Sequence, residues 1–392
     1  MRSIRIIWRK GGINMKGFST KAIHIGEIHL LDSVTTPIFQ TSNFLMSAEK
    51  YESNDRNSYI YSRMSNPTVR MLEKKLAALC NGEDGVLLSS GMAAISCSLL
   101  SVLSENDKVI FSAELYGGTY AMIREVLSKF CIKCEFTPVD ELNHRDFSDA
   151  KVVFVESLTN PLLKLADIDS LAKKAHEQGA LLYVDNTFMS PYNFRPLKFG
   201  ADVEIHSLTK YVGGHSDIIL GFVTARHQKL IEKIWRQMYT FGANPNPFEA
   251  FLTARSVKTL SLRMTQHNKN AEIIVDFLLK HPKIKEVRYP SLQQNIPECY
   301  KDCPGFGGVI YIDLETTDNA LRFASNLKLF RQATSLAGVE SLVTIPCLTS
   351  HSALNDEELQ KAHISKGGVR LSVGIEDVQD LLEDLSQALN KI

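Results

Sequence analysis

Long apolar runs are missing from this sequence. No window of 18 or more residues is apolar throughout, so a membrane-spanning helix is not expected. The most apolar region, residues 86–103, is interrupted by serines at five positions: Ser89, Ser90, Ser96, Ser98 and Ser101. We therefore predict no membrane partner for this chain and a cytoplasmic location.

A secretory signal is also absent from the N-terminal segment. Residues 1–14 are basic but lack the apolar core of about 7–15 residues that such a signal contains. We predict that this segment is a disordered leader, or that it results from a start codon placed too far upstream of Met15. A short organelle-targeting leader is the alternative.

An excess of charge of either sign is missing too. The 392 residues contain 44 Lys and Arg and 44 Asp and Glu. A balanced chain has no overall field that would attract nucleic acid. We therefore predict that nucleic acid is not a partner.

Cysteine is scarce, with seven residues spread thinly along the chain. An odd number of scattered cysteines argues against a disulfide framework and favours a reducing compartment. Two pairs, Cys131 with Cys134 and Cys299 with Cys303, could be imagined as one zinc site, but their surroundings do not resemble a zinc ribbon. We predict no metal site.

The sequence does contain a clear alternation of strand-like and helix-like segments, from residue 67 to about residue 255. Residues 67–80 have apolar side chains at helical spacing, and short apolar runs such as 152–156 predict buried strands. This alternation is typical of an α/β fold with a mostly parallel sheet and helices on both faces. After residue 255, long amphipathic helices with a few strands predict a smaller α+β domain.

Four parts of the chain follow from these patterns. They are the leader at residues 1–14, an extended N-terminal arm at 15–65, an α/β domain that carries the candidate site at 66–255, and a C-terminal α+β domain at 256–392.

Polar residues collect at the ends of three predicted strands. The three groups are Glu156 with Asn160, Asp185 with Asn186 and Thr187, and His206 with Ser207, Thr209 and Lys210. One such strand end is common, because these residues also serve turns and helix caps. Three on one rim of a parallel sheet indicate a ligand site, since ligands bind at the carboxyl ends of such strands.

Gly91 opens a predicted helix directly after a predicted strand. Its flanking residues match neither the dinucleotide-binding nor the P-loop fingerprint. A glycine at this place lets backbone N–H groups approach a phosphate, which the helix dipole also favours. A phosphate cradle, Asp185 and Lys210 together suit pyridoxal phosphate (PLP), which takes a lysine Schiff base and an acidic partner at its ring nitrogen.

Eight stretches resemble, in the same order, the motifs of one enzyme family. They are YSRMSNPT (61–68), SSGMAAI (89–95), YGGTY (116–120), ESLTNP (156–161), VDNTF (184–188), HSLTKYVGGHSD (206–217), SLAGVESL (335–342) and VRLSVGIE (369–376). The chain resembles the PLP-dependent trans-sulfuration enzymes of cysteine and methionine metabolism over about residues 17–390. The resemblance implies fold type I, the aspartate-aminotransferase-like fold of PLP-dependent transferases, with residues 66–255 as the PLP-binding domain.

The resemblance also implies a role for each matching residue. Lys210 is expected to hold the cofactor and shuttle protons, Asp185 to pair with the ring nitrogen, and Tyr116 to stack on the ring and protonate the leaving sulfur. The other implied cofactor-binding residues are Gly91, Met92, Thr187, Ser207, Thr209, Tyr61 and Arg63. The implied substrate-binding residues are Arg370, which suits a carboxylate, with Asn160 and Ser335.

Tyr61 and Arg63 are implied to reach the phosphate of a neighbouring subunit. The active unit is then at least a homodimer with a shared site, and the family forms homotetramers.

Three polar residues of the motifs have plainer interpretations. We interpret Glu156 as structural, and His206 and His215 as hydrogen-bonded scaffolding.

Three positions narrow the choice of reaction. Cystathionine-handling members usually carry charged residues where this chain has Ile60, Ala121 and Thr334. A neutral pocket leaves the ammonium and carboxylate of a cystathionine tail poorly paired. We therefore predict a γ-lyase that converts methionine or homocysteine to 2-oxobutanoate, ammonia and a thiol.

Other members of the family stay open as alternatives. Many methionine γ-lyases have a cysteine where this chain has Gly118, so the chain departs from that group at this position. The alternatives are a cystathionine γ-lyase, a cystathionine γ-synthase that acts on a homoserine ester, and an O-acylhomoserine sulfhydrylase. An inactive PLP-binding regulatory homologue is a further one.

Overall fold

The computed structural model describes residues 15–51, 55–350, 355–361 and 363–392. The predicted leader at residues 1–14 therefore lies outside the described residues. None of the helices within these ranges combines the length and the apolar composition needed to cross a bilayer.

The larger sheet has seven strands: β1 (Asp84–Leu88), β2 (Lys108–Ser112), β3 (Lys133–Thr137), β4 (Val152–Glu156), β5 (Leu181–Asp185), β6 (Val203–Ser207) and β7 (Gly221–Ala225). Their order across the sheet is β1-β7-β6-β5-β4-β2-β3. Strands β6, β5, β4, β2 and β3 pair in parallel. Strand β7 runs antiparallel to both neighbours, because a loop without a crossover helix joins it to β6. The predicted mostly parallel sheet is confirmed.

The helices of the described residues are α1 (Phe18–His24), α2 (Ala48–Tyr51), α3 (Pro67–Cys80), α4 (Gly91–Leu100), α5 (Gly117–Glu125), α6 (Ile168–Glu177), α7 (Ser190–Asn193), α8 (Gln228–Phe241), α9 (Pro247–Val257), α10 (Leu260–Leu278), α11 (Thr317–Asn326), α12 (Asp356–Lys361) and α13 (Val378–Leu389). Local sequence explains where α3 begins and ends. The Asn66 side chain accepts a hydrogen bond from Thr68 N, Pro67 occupies the first turn, and Asn81 ends the helix in a left-handed conformation.

Both faces of the larger sheet are covered. On one face, alternate residues of the strands pack with α4, α5 and α8, among them Val109, Phe111, Phe154, Ile205 and Val223. On the other face the intervening residues pack with α3 and α6, among them Leu87, Ile110, Val153, Val184 and Phe222. Burial of each such side chain contributes about 1.5–3 kcal/mol. This two-sided burial explains why the strands read as continuous apolar runs.

The N-terminal arm is more ordered than the sequence predicts. Residues 15–65 were expected to be extended, but α1 and α2 lie within them, and α1 packs against α3 and α10. Two buried ion pairs fix the arm to α3: Lys75 Nζ lies 3.0 Å from Glu27 Oε1, and Arg56 Nη2 lies 2.9 Å from Glu73 Oε2. These pairs hold the arm in one place relative to the larger sheet.

A second, smaller sheet follows in the chain. Its strands are β8 (Glu286–Arg288), β9 (Val309–Asp313), β10 (Arg331–Gln332), β11 (Leu342–Thr344) and β12 (Gly368–Ser372), in the order β10-β11-β12-β9-β8. A mostly parallel sheet followed by this smaller one agrees with the predicted fold type I architecture. The predicted domain division after residue 255 falls within α9 and stays a prediction.

Candidate active site

A cavity of about 620 Å³ lies at the carboxyl ends of β4, β5 and β6. The sequence-predicted residues that line it are Gly91, Met92, Tyr116, Asn160, Asp185, Thr187, Ser207, Thr209, Lys210, Ser335 and Arg370. The structure therefore brings together side chains from the larger sheet, from α4 and from the smaller sheet. Glu156, at the end of β4, also lines the cavity.

Lys210 stands in the turn that follows β6. Its Nζ donates a hydrogen bond to Ser335 Oγ at 2.7 Å. Burial, together with the positive charge of Arg370, lowers the pKa of Lys210 to about 8. A substantial fraction of this amine is then neutral near physiological pH, as a nucleophile or base must be.

The lowered pKa of Lys210 leads to a prediction for the cofactor-free protein. Acetylation of Lys210 by a small anhydride should rise with pH and level off above a midpoint near 8, because only the neutral amine reacts. An ordinary lysine titrates near 10.5. Quantitative mass spectrometry of the Lys210 peptide, relative to exposed lysines of the same sample, measures this midpoint. A midpoint that coincides with that of the exposed lysines would contradict the predicted environment.

Asp185 ends β5 and faces the same cavity. Its Oδ1 accepts hydrogen bonds from Thr187 N at 3.0 Å and Thr187 Oγ1 at 2.5 Å. Burial raises the pKa of Asp185, while the Thr187 bonds and the charge of His206 oppose that rise. Thr187 Oγ1 in turn accepts from Ser207 N at 2.8 Å, so one hydroxyl fixes the ends of two strands.

Gly91 begins α4 beside Ser207. A Cβ atom at position 91 would lie 2.8 Å from Ser207 Cβ, closer than packing allows, so glycine is required here. The Ser90 side chain caps α4 by accepting from Ala93 N at 3.0 Å. The amides of Gly91 and Met92 precede the first intrahelical bonds and can bind an anion. Ser207 and Thr209 also line the cavity.

Arg370 lies on β12 of the smaller sheet and is 5% exposed. Its Nη1 donates to Asn160 Oδ1 at 3.0 Å, and its Nη2 donates to the Ser335 carbonyl at 2.9 Å. Its Nε has no hydrogen-bond partner among the described residues. Asn160 precedes a cis peptide bond to Pro161. The guanidinium is thus held in a fixed orientation with donor capacity left for a carboxylate.

Tyr116 is about half exposed and stands at the start of α5, at the cavity. Its backbone N donates to Glu156 Oε1 at 2.6 Å. Burial, with the nearby charge of Asp185, raises the pKa of Glu156 well above its usual range. Glu156 therefore positions the Tyr116 backbone, in line with its interpretation as a structural residue.

Tyr61 and Arg63 do not line the cavity of their own chain. Tyr61 is 43% exposed, and the Arg63 guanidinium lies over its ring at 5.7 Å from the centroid. Arg63 Nη1 donates to the Tyr239 carbonyl at 3.0 Å. Their expected contact with a neighbouring subunit's cofactor stays a prediction.

Several residues that line the cavity were not predicted as site residues. They are Ser90, Ile95, Leu158, Phe188, Ile219, Leu336, Thr344, Leu348, Thr349 and Ser350. Half of them lie within the family motifs, so their place in a motif is the signal that could have found them: Ser90, Ile95, Leu158, Phe188 and Leu336. No local pattern separates Ile219, Thr344 or Leu348 from ordinary residues of their elements and loops.

The cysteines have different surroundings from one another. All seven lie in the described part of the chain and are free thiols. Cys131 is exposed just before β3, whereas Cys299 is buried in the core. A different cysteine, Cys80, lies within 4.8 Å of possible ligand atoms of Glu204 and His206.

The cavity fits PLP. The tight approach of Gly91 to Ser207 leaves a helix N-terminus for a phosphate. A buried carboxylate at Asp185 and an amine of lowered pKa at Lys210 supply the other two contacts that this cofactor requires.

Comparison with known proteins agrees with this geometry. Residues 19–390 match the model of the family described as Cys/Met metabolism PLP-dependent enzyme. The chain is 40% identical over 380 residues to the cystathionine gamma-lyase of Dictyostelium discoideum, covering 95% of this chain and 97% of that protein. It is also 40% identical over 392 residues to the L-methionine gamma-lyase of Fusobacterium nucleatum subsp. nucleatum, covering 96% and 98%.

A solved structure is similar over nearly the whole chain. The cystathionine gamma synthase from Xanthomonas oryzae pv. oryzae, in complex with aminoacrylate and cysteine, has a TM-score of 0.90 and 35% identity, covering 96% of this chain and 99% of that one. These likenesses extend over almost all of the described residues. The chain therefore belongs to the Cys/Met metabolism family of PLP-dependent enzymes.

Proposed function

We propose that this chain is a carbon–sulfur γ-lyase that acts on methionine or homocysteine and releases a thiol, ammonia and 2-oxobutanoate. The observation that carries the proposal is that no charged group at the cavity is left over to pair with a charged substrate tail. Among the described residues that line it, the charged side chains are Glu156, Asp185, Lys210 and Arg370. Each already has a place in binding the cofactor, the substrate carboxylate or Tyr116.

The cavity residues that have no assigned role are all uncharged. They include the apolar Leu158, Ile219, Leu336 and Leu348, with the neutral Thr334 beside Ser335. A thioether tail loses little on entering such surroundings, whereas an ammonium and a second carboxylate would each need a partner. The geometry therefore supports a short sulfur substrate over cystathionine.

The chemistry assigned to the chain's own residues follows from their positions. When bound, PLP supplies an aldehyde for the substrate amino group and a ring that accepts the electrons of the Cα–H bond. Arg370 binds and orients the substrate carboxylate. Neutral Lys210 Nζ accepts the proton from Cα, and its low pKa keeps it ready to do so. The Tyr116 hydroxyl donates a proton to the departing sulfur. Overall, methionine and water yield methanethiol, 2-oxobutanoate and ammonia.

Cystathionine γ-lyase is the main alternative. The 40% identity to the Dictyostelium discoideum protein of that name equals the identity to the methionine gamma-lyase, so overall similarity does not favour either reaction. A γ-synthase would share the removal of the Cα proton and the loss of the γ-substituent. It would then add a thiol to the product of these steps, whereas a lyase releases a 2-oxo acid and ammonia by hydrolysis. The choice depends on the distal pocket.

A substrate panel tests the proposal. We expect kcat/KM for 2-oxobutanoate release from methionine to exceed that from cystathionine by about tenfold or more, which corresponds to about 1.4 kcal/mol of transition-state preference. Cysteine and O-succinylhomoserine are supplied together in a parallel assay that detects cystathionine synthesis. A tenfold advantage for cystathionine, or faster synthesis than elimination, would reject the proposal.

A single variant sharpens the comparison. Thr334→Glu places a carboxylate at the cavity where cystathionine-handling relatives usually have one. If a missing charge sets the preference, this variant should gain activity on cystathionine relative to methionine. Thr344→Ser, elsewhere on the cavity wall, serves as the control that changes no charge.

A further inference from the structure

A chain of buried polar side chains lies on the face of the larger sheet opposite the cofactor-facing residues. Ser157 Oγ donates to Asn186 Oδ1 at 2.8 Å, and Asn186 Nδ2 donates to Glu204 Oε1 at 3.0 Å. His206 Nε2 lies 2.7 Å from the same Glu204 oxygen. All four residues are 1% exposed or less. We call these residues the rear network.

Three members of the rear network are next in sequence to a cavity residue at the end of a strand. Ser157 follows Glu156, Asn186 follows Asp185, and His206 precedes Ser207. Successive side chains of a strand point to opposite faces, so the network lies directly behind these cavity residues. Main-chain bonds join the same strand ends: Ser157 N donates to the Asp185 carbonyl at 3.0 Å.

Glu204 is the residue on which the rear network converges. With Glu204 as the acceptor in this pair, His206 Nε2 is the donor. The Asn186 amide nitrogen also donates to the Phe194 carbonyl at 2.9 Å, which fixes the orientation of this side chain. Loss of Glu204 would leave donors of Asn186 and His206 buried without that acceptor.

We propose that Glu204 is a positioning residue for the PLP site, which acts through Asn186 and His206 to hold Asp185 and Ser207 at the spacing that the cofactor requires. Asp185 would pair with the ring nitrogen of the bound cofactor, and Ser207 would contact its phosphate. A fixed distance between their strands therefore sets how well one cofactor satisfies both contacts. The inference depends on PLP dependence and not on the identity of the sulfur substrate.

A metal site is the competing interpretation of this cluster. Cys80 Sγ lies 3.7 Å from His206 Nε2, and Glu204 Oε2 and His206 Nδ1 have no hydrogen-bond partner among the described residues. However, the Asn186 amide nitrogen, which is a hydrogen-bond donor and not a metal ligand, also contacts Glu204 Oε1, at 3.0 Å. The short contacts to Glu204 Oε1 are those of hydrogen bonds.

The test compares Glu204→Leu with Glu204→Gln in the full-length protein. The cofactor is removed by hydroxylamine dialysis, and PLP is titrated back while binding and the visible spectrum are recorded. Glu204→Leu should weaken PLP binding about tenfold or more and shift the absorption band of the bound cofactor. The magnitude is taken from metal sites, where removing a hydrogen-bond partner of a ligand lowers metal affinity by about 10- to 100-fold. Glu204→Gln retains an acceptor oxygen and should stay within about threefold of the wild type.

Asp202→Leu is the matched control. Asp202 is 4% exposed, precedes β6 at its amino end, and accepts from Leu182 N at 2.8 Å, with His176 Nε2 at 2.9 Å. It is therefore a second buried carboxylate that contacts a histidine, but it lies at the amino end of β6 and does not line the cavity. We expect Asp202→Leu to lower the melting temperature while PLP affinity and the spectrum remain those of the wild type.

Three results would overturn the inference. The first is equal loss of PLP affinity in Glu204→Leu and Asp202→Leu, and the second is wild-type affinity and spectrum in Glu204→Leu. The third is one equivalent of a transition metal in the purified wild type that Glu204→Leu loses.

If Glu204→Leu does not fold, Ser157→Ala replaces it, since it removes the outermost bond of the rear network alone. That variant should weaken PLP binding in the same direction by about two- to threefold, and unchanged binding would count against the inference.

Discussion

Replacing Lys210 by alanine is expected to reduce elimination from methionine by about 10⁴-fold or more, because one side chain supplies both the covalent anchor and the base. The fold should remain intact. Among the described residues, the Lys210 side chain hydrogen-bonds to Ser335, which is exposed at the cavity and can bond to water instead. Release of 2-oxobutanoate measures turnover, and circular dichroism with thermal melting measures the fold.

Borohydride trapping provides a second readout for Lys210→Ala. Reduction of the wild-type holoenzyme should attach the cofactor permanently to the peptide that contains Lys210, whereas the variant should yield no such peptide. Lys164→Ala is the control, since Lys164 pairs with Glu114 at 3.0 Å and does not line the cavity. Activity of the Lys210 variant within a factor of about ten of the wild type would mean that the base has been misassigned.

Replacing Arg370 by lysine is expected to lower kcat/KM for methionine by about 100-fold, although the positive charge is retained. Lysine cannot present two parallel donors to a carboxylate, and a charge-assisted hydrogen bond contributes about 1.5–3 kcal/mol. The shorter lysine side chain would also lose the hydrogen bond to Asn160 Oδ1. Because Arg370 is assigned to the substrate and not to PLP, cofactor affinity should change little.

The control for Arg370→Lys is Arg288→Lys. Arg288 lies on β8 of the same sheet, pairs with Glu286 at 2.7 Å, and does not line the cavity. It should leave kcat/KM unchanged. A drop in kcat/KM for Arg370→Lys that is explained entirely by lost cofactor would assign Arg370 to the cofactor site and contradict our interpretation.

The larger sheet could be predicted from sequence because its strands are buried on both faces and appear as uninterrupted apolar runs. The reversed direction of β7 could not, because β7 has the same apolar pattern as a parallel strand and only the missing crossover helix distinguishes it. Helix α1 was missed for a related reason. It is seven residues long and is stabilised by contact with α3 and α10, which a local pattern does not reveal.

The candidate site was predictable where chemistry is tied to a strand end. Asp185, Ser207 and Lys210 follow recognisable strands, and the family motifs supplied Arg370 and Ser335, which are more than 100 positions away in the chain. The apolar cavity walls were harder to predict, since Ile219 stands in a loop, Leu348 ends a three-residue 3₁₀ helix, and neither side chain has a distinctive spacing. Glu204 was not predicted as a partner of His206, because alternation along β6 places both on one face of the sheet but does not show that their side chains hydrogen-bond there.

Strands β5 and β6 carry cavity residues on one face and rear-network residues on the other. This arrangement limits the insertions and deletions that these strands can accept. Inserting or deleting a single residue within β6 would exchange inward and outward side chains, so that Glu204 or His206 would face the cofactor and Ser207 would face the interior. Loops that carry no cavity residue face no such constraint. Natural or engineered variation in chain length should therefore accumulate in those loops and be excluded from the five residues 203–207.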